Sequence, residues 1–341
     1  MVEISIRNVD GLQSGVDVLA LKYAQRPYGL DSLALNALQA AGRQLDLPTP
    51  GRTWLTDGVL GKTPGKLLFI GVPPLGQFKY EGLREFSRRA FFEVHNRVPQ
   101  ARTIGLTLHG PGYGLDEREA FESQIAGLLD AFSELQGPSV LQQVVFVERS
   151  PDRAERLKNW LDASFPPQAA KSITLNALRS SAPQNDRFRT VGFDSDSKAH
   201  IFVAMPFKEE FDDVYHYGIQ NAVNAAEFLC ERADLSDFTG TVMDRVEERI
   251  ATATLVIAEL TEPNPNVYLE VGYAWGRKVP TVLLTRDIKT LPFDVRGQRC
   301  IEYKRIKDLE QALTKALSAL KQGLLGMSES VASPQLSAAT K

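Results

Sequence analysis

The sequence has few of the features that mark membrane, secreted or metal-binding proteins. It contains only two cysteines, Cys230 and Cys300, with no CxxC pair or histidine cluster beside them. That pattern excludes a zinc motif, argues against a disulfide framework and favours a reducing cytoplasm. No run approaches the roughly 18 consecutive apolar residues of a membrane-spanning helix. The N-terminal residues lack the basic start and apolar run of a signal peptide. We therefore expect a cytoplasmic protein with no membrane contact.

An excess of charge of one sign is also missing. The 341 residues include 39 Lys and Arg against 42 Asp and Glu, which gives a net charge of −3. Such a chain has no global basic field to attract DNA. The hydrophobic fraction of 43% and the charged fraction of 24% are those of an ordinary globular protein. At this length two domains are expected.

Apolar runs alternate with amphipathic stretches along most of the chain, which predicts α/β architecture. We predict a first domain over 1–165, a linker over 166–198, a second domain over 199–321 and a disordered tail over 322–341. The linker is predicted from clusters of Pro, Ser, Asn and Asp, and the tail from small polar residues. Asp116, followed by Glu119, predicts a capping box at the start of a helix.

Three loops of the second domain are predicted to meet at the carboxyl edge of its sheet. Ligands bind at this edge in open parallel sheets. The loops follow predicted strands at 200–204, 228–232 and 254–260. The candidate ligand residues on these loops and on the helices after them are Met205, Pro206, Phe207, Asp244, Asn266, Tyr268 and Glu270.

Three blocks of this domain carry a family resemblance. They read HIFVAMPFKEEFDDVY, then ERIATATLVIAELTEPNPNVYLEVGYAWGRKVPTVLL, then LPFDVRGQRCIEY. In this order they resemble the TIR-like branch of the nucleoside 2-deoxyribosyltransferase superfamily. The resemblance implies a flavodoxin-like parallel sheet with flanking helices. It also implies an N-glycosidase that splits NAD into nicotinamide and an ADP-ribose product. NAD is then a substrate, and the resemblance implies neither a cofactor nor a metal.

By this resemblance Glu270, the glutamate of N-x-Y-x-E-x-G, is the catalytic carboxylate. Cleavage generates positive charge on the ribose C1, which an adjacent carboxylate stabilises or traps covalently. Alternatively, Glu270 merely complements a helix N-terminus. Helix capping explains Asp244 nearly as well as substrate binding does. Phe207 and Tyr268 can stack on a base, although aromatic residues at such positions commonly belong to the core.

The first domain contains two successive strand–glycine loop–helix units. Glycines let backbone amides approach a ligand, and a helix N-terminus adds partial positive charge, so each loop can cradle a phosphate. Alternatively, both loops are simple tight connections. The candidate ligand residues are Gly76, Lys79, His109, Gly112 and Gly114. The order of these blocks is similar to that of macrodomains, which implies a macro-like α/β fold that binds ADP-ribose or another nucleotide.

A nucleotide-sensing domain fused to an NAD-cleaving domain resembles effectors of bacterial anti-phage defence. The resemblance implies activation by a nucleotide second messenger, either a cyclic oligonucleotide or an ADP-ribose derivative. It also implies assembly into a homo-oligomer such as a filament. Two alternatives stay open at this point. One is a metabolic nucleoside or nucleotide deoxyribosyltransferase or hydrolase, and the other is a nucleotide-binding protein without catalytic activity.

Overall fold

The computed structural model describes residues 2–61, 63–164, 173–174, 187–233 and 241–332. It divides into two compact units. The first comprises Met1–Ser197 with Thr239–Arg245, and the second comprises Lys198–Phe238 with Val246–Lys341. Each unit is α/β, with mainly parallel strands and flanking helices, so the predicted fold class is confirmed. Among the described residues no helix is long and apolar enough to cross a membrane.

The first unit is built on a seven-stranded sheet. Its strands are β1 (Glu3–Asn8), β2 (Val18–Tyr23), β3 (Thr53–Asp57), β4 (Lys66–Gly71), β5 (Thr103–Leu106), β6 (Gln143–Glu148) and β7 (Ile173–Thr174). They lie in the order β3-β4-β2-β5-β6-β1-β7. The edge strands β3 and β7 run antiparallel to their neighbours, and the other pairs are parallel. Every residue of β2 is buried, as expected for a central parallel strand.

The long helices of this unit are α1 (Gly29–Ala40), α2 (Tyr80–Arg97), α3 (Glu117–Glu134) and α4 (Pro151–Ser164). Helices α2 and α3 pack closely because Gly127 has no side chain. A Cβ at this position would lie 1.9 Å from the carbonyl oxygen of Arg84. The Asp116 half of the capping box predicted for α3 is confirmed, since its carboxylate accepts the amide hydrogen of Glu119 at 2.8 Å. The amide of Asp116 donates to the Tyr80 hydroxyl at 2.7 Å.

Residues 187–197 lie against α2, although the sequence assigns them to a linker over 166–198. The guanidinium of Arg84 donates a hydrogen bond to the carbonyl of Val191 at 2.6 Å. It also lies 4.2 Å from the centre of the Phe193 ring. These contacts join residues far apart in the sequence, so the local composition that predicted a linker does not reveal them. Apart from β7, the earlier part of the predicted linker lies outside the described residues.

The second unit is built on a five-stranded sheet in which all neighbours are parallel. Its strands are β8 (His200–Ala204), β9 (Leu229–Glu231), β10 (Leu255–Glu259), β11 (Thr281–Thr285) and β12 (Cys300–Glu302). They lie in the order β12-β11-β10-β8-β9. Numbered within the unit, this is the 2-1-3-4-5 order of flavodoxin-like sheets, as predicted.

Helices cover both faces of this sheet. They are α5 (Asn221–Ala225), α6 (Thr241–Thr252), α7 (Pro265–Gly276), α8 (Phe293–Arg296) and α9 (Ile306–Ala332). A π-helical segment, Val214–Gln220, runs into α5 and packs with α9 on one face. The opposite face is covered by α6 and α7.

Helix α9 continues past the boundary predicted at 321, so the first part of the predicted disordered tail is helical as far as Ala332. Six of the eleven residues from Gln322 to Ala332 are Gln, Leu, Met, Glu or Ala, which favour helix, against two Gly and two Ser. The rest of the predicted tail, 333–341, lies outside the described residues.

Candidate functional site

The second sheet has a topological switch point between β8 and β10, where the connections leave neighbouring strands towards opposite faces of the sheet. The π-helical segment that follows β8 packs on one face, whereas α7, which follows β10, packs on the other. The loops after these two neighbouring strands therefore diverge at the carboxyl edge. In open α/β sheets the crevice between such loops binds ligands. The predicted substrate residues Met205, Pro206 and Phe207 lie on the first of the two loops.

Glu270 lies on the side of α7 that faces the sheet. Its helix neighbours Val267, Val271 and Ala274 are buried in the core on the same side, and Glu270 itself is only 5% exposed. Burial alone raises the pKa of its carboxyl to about 8, with no hydrogen bond or charged neighbour among the described residues contributing. A buried carboxyl without a partner costs folding free energy. Such groups are concentrated at functional sites.

The start of α7 is capped by Asn264 and not by Glu270. The Asn264 side chain accepts hydrogen bonds from the amides of Asn266 and Val267 at 2.9 and 3.4 Å, and Pro265 occupies the first turn. Glu270 lies beyond that turn, so complementing the helix N-terminus does not explain its position. The sequence analysis missed this role of Asn264, although an Asn directly before a Pro is a usual helix start.

The other predicted substrate residues differ in exposure. Met205 and Pro206 are buried and Phe207 is half-buried. Tyr268, a residue of α7, is half-buried and packs against the core. Burial raises the pKa of its hydroxyl. Asn266 and Asp244 are exposed, the latter in the first turn of α6.

Arg232, which directly follows β9, was missed by the sequence analysis. Its guanidinium carbon lies 4.0 Å from the centre of the Phe207 ring and 3.9 Å from the centre of the Tyr215 ring. The cation therefore lies close to two aromatic rings, an arrangement that favours positive charge. One face of Phe207, predicted to stack on a base, is occupied by this guanidinium.

A surface ion pair joins the two loops at the switch point. Lys208 follows β8, Glu262 follows β10, and the Lys208 ammonium bonds the Glu262 carboxylate. This hydrogen bond lowers the pKa of Glu262. Because both side chains are exposed, the pair contributes little to stability.

A second buried carboxyl, that of Glu259, ends strand β10. It belongs to the face covered by α9, whereas Glu270 approaches the sheet from the face covered by α7. Glu259 accepts hydrogen bonds from the Tyr303 hydroxyl at 2.9 Å and from the Thr261 amide at 2.8 Å. Burial raises the pKa of this carboxyl as well. Unlike Glu270, it is fully engaged within the protein.

In the first unit, His109 lies in the loop after β5. The imidazole is 6% exposed and packs edge-on against Phe86, with ring centres 5.0 Å apart. Its Nε2 lies 3.3 Å from the hydroxyl of Thr107. Burial holds the pKa of His109 well below its usual value, and the positive charge of Lys22 lowers it further. The imidazole is therefore neutral, and can offer a hydrogen bond but no charge to a phosphate.

The glycines of the same loop adopt left-handed backbone conformations. Gly112 and Gly114 have φ angles of +83° and +82°, and a Cβ at either would meet no heavy atom within 4 Å. The backbone conformation, and not close packing within the protein, requires glycine here. Gly76 lies in the short turn Leu75–Gln77, and Lys79 is the half-buried residue before α2.

A buried ion pair lies near the carboxyl end of β2. The ammonium of Lys22 lies 3.1 Å from the carboxylate of Asp31 in α1, and the side chains are 9% and 3% exposed. Burial raises the pKa of Asp31 although Lys22 opposes this. Strand β2 neighbours β5, whose loop carries His109. The sequence analysis did not find Lys22, since a lysine within a strand ordinarily faces solvent.

Comparisons with known proteins do not assign the chain to a family. No family model and no curated protein matches it. Among solved structures, a mutant macrodomain of Oceanobacillus iheyensis with ADPR is 16% identical, with a TM-score of 0.34; the match covers 48% of this chain and 92% of that one. The bottromycin maturation enzyme BotP is 14% identical, with a TM-score of 0.30 and 89% of each chain covered. At such TM-scores neither likeness carries an argument about this chain.

Proposed function

We propose that the second unit is an N-glycosidase that splits NAD into nicotinamide and an ADP-ribose product, with Glu270 as its catalytic carboxyl. The observation that carries the proposal is the burial of Glu270, without a partner among the described residues, on the helix that follows the switch-point strand β10. The resemblance of the three sequence blocks to TIR-like glycosidases supports the same assignment.

The chemistry requires the ionised carboxylate. As the bond between C1 and the nicotinamide nitrogen breaks, its electron pair neutralises the ring and leaves positive charge on C1. Glu270 stabilises that charge or traps C1, and water then adds to C1 and releases a proton. The nicotinamide ring of bound NAD is cationic, so it favours the carboxylate and lowers the pKa of Glu270 below about 8.

A neutral nucleoside or nucleotide is a second candidate substrate, and the pKa of about 8 favours it. At neutral pH the free enzyme holds this carboxyl mainly in its protonated form, which can donate a proton to a leaving base as a general acid. The protein would then be a metabolic hydrolase or deoxyribosyltransferase with the first unit as a scaffold. The pH profile of kcat/KM separates the two functions, because it reports the free enzyme. The profile rises towards pH 8 if the carboxylate acts and falls above pH 8 if the acid acts.

In the fuller proposal the first unit senses a nucleotide messenger, a cyclic oligonucleotide or an ADP-ribose derivative. The loop with Gly112 and Gly114 supports this role, because left-handed backbone conformations with open space beside them are typical of loops that bind anions. An unregulated NAD glycosidase would harm its own cell. We therefore propose that messenger binding drives homo-oligomer assembly, which switches on NAD depletion in anti-phage defence.

The direct test is turnover of NAD by the purified protein, alone and with a panel of cyclic oligonucleotides and ADP-ribose derivatives. Neutral nucleosides and nucleotides are assayed in parallel. We expect nicotinamide release that depends on one of the messengers. Release of a base from neutral substrates without any messenger would establish the metabolic alternative. Absence of turnover under all of these conditions would overturn both glycosidase functions.

A further inference from the structure

Arg232 differs from Arg84 and Arg249, two buried arginines that pair with carboxylates. Arg84 bonds both carboxylate oxygens of Asp130 at 2.6 and 2.8 Å. Arg249 bonds both oxygens of Glu231 at the same two distances. These are bidentate pairs of the kind that normally accompanies burial of a guanidinium.

The guanidinium of Arg232 has no such partner among the described residues, although its side chain is only 12% exposed. One of its nitrogens lies 3.6 Å from the thioether sulfur of Met205, which is a weak acceptor. Another lies 4.0 Å from the carboxylate of Asp212, too far for a hydrogen bond. Most of its N–H donors are therefore unused by these residues.

Two aromatic rings pack against the guanidinium of Arg232. Phe207 comes from the loop after β8, and Tyr215 comes from the π-helical segment. With two rings packed against the cation, its N–H groups remain to meet a ligand. This packing restricts the side chain of Arg232 before a ligand binds. Less rotamer entropy is therefore lost when the forked N–H groups of its guanidinium bind an oxyanion.

We propose that Arg232 is the anion-binding residue of the crevice and that it holds a phosphate group of the substrate. The residue directly follows β9, which neighbours β8, so it lies at the same carboxyl edge as the loop with Met205 and Phe207. A phosphate offers the paired oxygen acceptors that match the guanidinium fork. The assignment rests on the proposed function and makes nucleotides and dinucleotides better substrates than unphosphorylated nucleosides.

Arg232 is thus a positioning residue, which should affect phosphorylated substrates selectively. We expect Arg232→Gln to raise KM for NAD at least about tenfold, the loss typical of one charge-assisted hydrogen bond. The value of kcat/KM for nicotinamide riboside, which has no phosphate, should change by less than about twofold. A residue with only a structural role would affect both substrates alike.

Binding of inorganic pyrophosphate tests the site without any turnover. The chain has four methionines, so methyl-labelled methionine gives a simple NMR spectrum in which Met205 reports on this crevice. Met205→Leu assigns its signal. Arg286→Gln is the matched control, because Arg286 is an exposed arginine that follows β11 at the same edge of the sheet.

We expect pyrophosphate to shift the Met205 signal saturably in the wild type and in Arg286→Gln. In Arg232→Gln the shift should disappear, and Arg232→Lys, which keeps the charge without the fork, should bind at least about tenfold more weakly. A Met205 signal that pyrophosphate leaves unmoved in the wild type, or moves equally in Arg232→Gln, overturns the assignment. If pyrophosphate binds as expected but NAD is not cleaved, the proposed function fails and the anion site stands.

Discussion

Replacing Glu270 by glutamine should stabilise the protein relative to the wild type, and this gain in unfolding free energy should grow as the pH rises. Glutamine has nearly the size of a protonated glutamate but cannot ionise. The folded protein holds the proton of Glu270 up to a pKa of about 8, whereas the unfolded chain releases it near the ordinary value of 4.5. Between these two values the folded wild type binds more protons than the unfolded chain, so its free energy of unfolding falls as the pH rises.

The two pKa values set the size of the effect. At about 1.4 kcal/mol for each pH unit, the interval from 4.5 to about 8 amounts to about 5 kcal/mol. About 3 kcal/mol of this is already lost at pH 7. Glu259, another buried carboxyl at this sheet edge, is present in both proteins, so its titration cancels in the comparison.

Urea unfolding followed by circular dichroism, repeated across a pH series, measures this difference. Wild type and Glu270→Gln should be about equally stable near pH 4.5, and the variant should gain steadily above it. Glu247→Gln removes an exposed carboxyl of α6 and is the control, with an expected change within about 0.5 kcal/mol at every pH. If the unfolding free energies of wild type and Glu270→Gln differ by the same amount at every pH, the conclusion that burial holds Glu270 neutral is refuted.

Three further predictions concern the first unit and assembly. Lys22→Met should cost about 3–5 kcal/mol of unfolding free energy by leaving Asp31 buried and unpaired; an Asp31→Leu change added to it should restore much of the loss in thermal melts. Valine at both Gly112 and Gly114 should abolish messenger binding in calorimetry, because a β-branched residue rarely adopts these φ angles. Valine at Gly137, also at positive φ in open space, should leave binding unchanged, and equal affinity in all proteins would place the messenger elsewhere. Specific activity with messenger should fall steeply on dilution, since each competent site requires at least two chains; constant activity at concentrations where light scattering finds only monomer would contradict assembly.

The sequence predicted features that depend on local chemistry and on order along the chain. The Asp116 cap follows from a side-chain acceptor placed before an acidic first turn. The parallel pairing in the second unit follows from strands that alternate with helices, whereas the flavodoxin-like order was implied by the family resemblance. Glu270 was found as a candidate because it is the glutamate of N-x-Y-x-E-x-G in the blocks that resemble TIR-like glycosidases, on a helix that follows a predicted strand.

Features that depend on contacts between distant residues were missed. Strand β1 has the alternating pattern of a strand, but its pairing with β6 near the other end of the unit is not encoded locally. The pairing of Lys22 with Asp31 requires a strand and a helix to be packed first. The position of Arg232 close to two rings likewise follows from β9 lying beside β8, because the rings come from different segments. The spacing of these residues along the sequence does not indicate that they meet in the folded protein.

The most direct test of the central claim is nicotinamide release from NAD by wild type and Glu270→Gln, each with the activating messenger. Glu262→Gln is the matched control, since it removes an exposed carboxylate from the loop just before α7. We predict that Glu270→Gln, folded and still binding the messenger, releases nicotinamide at least about a hundredfold more slowly, the loss expected for a catalytic electrostatic group. Glu262→Gln should stay within about threefold of wild type. Near wild-type release by folded Glu270→Gln would contradict the assignment of Glu270 as the catalytic carboxyl.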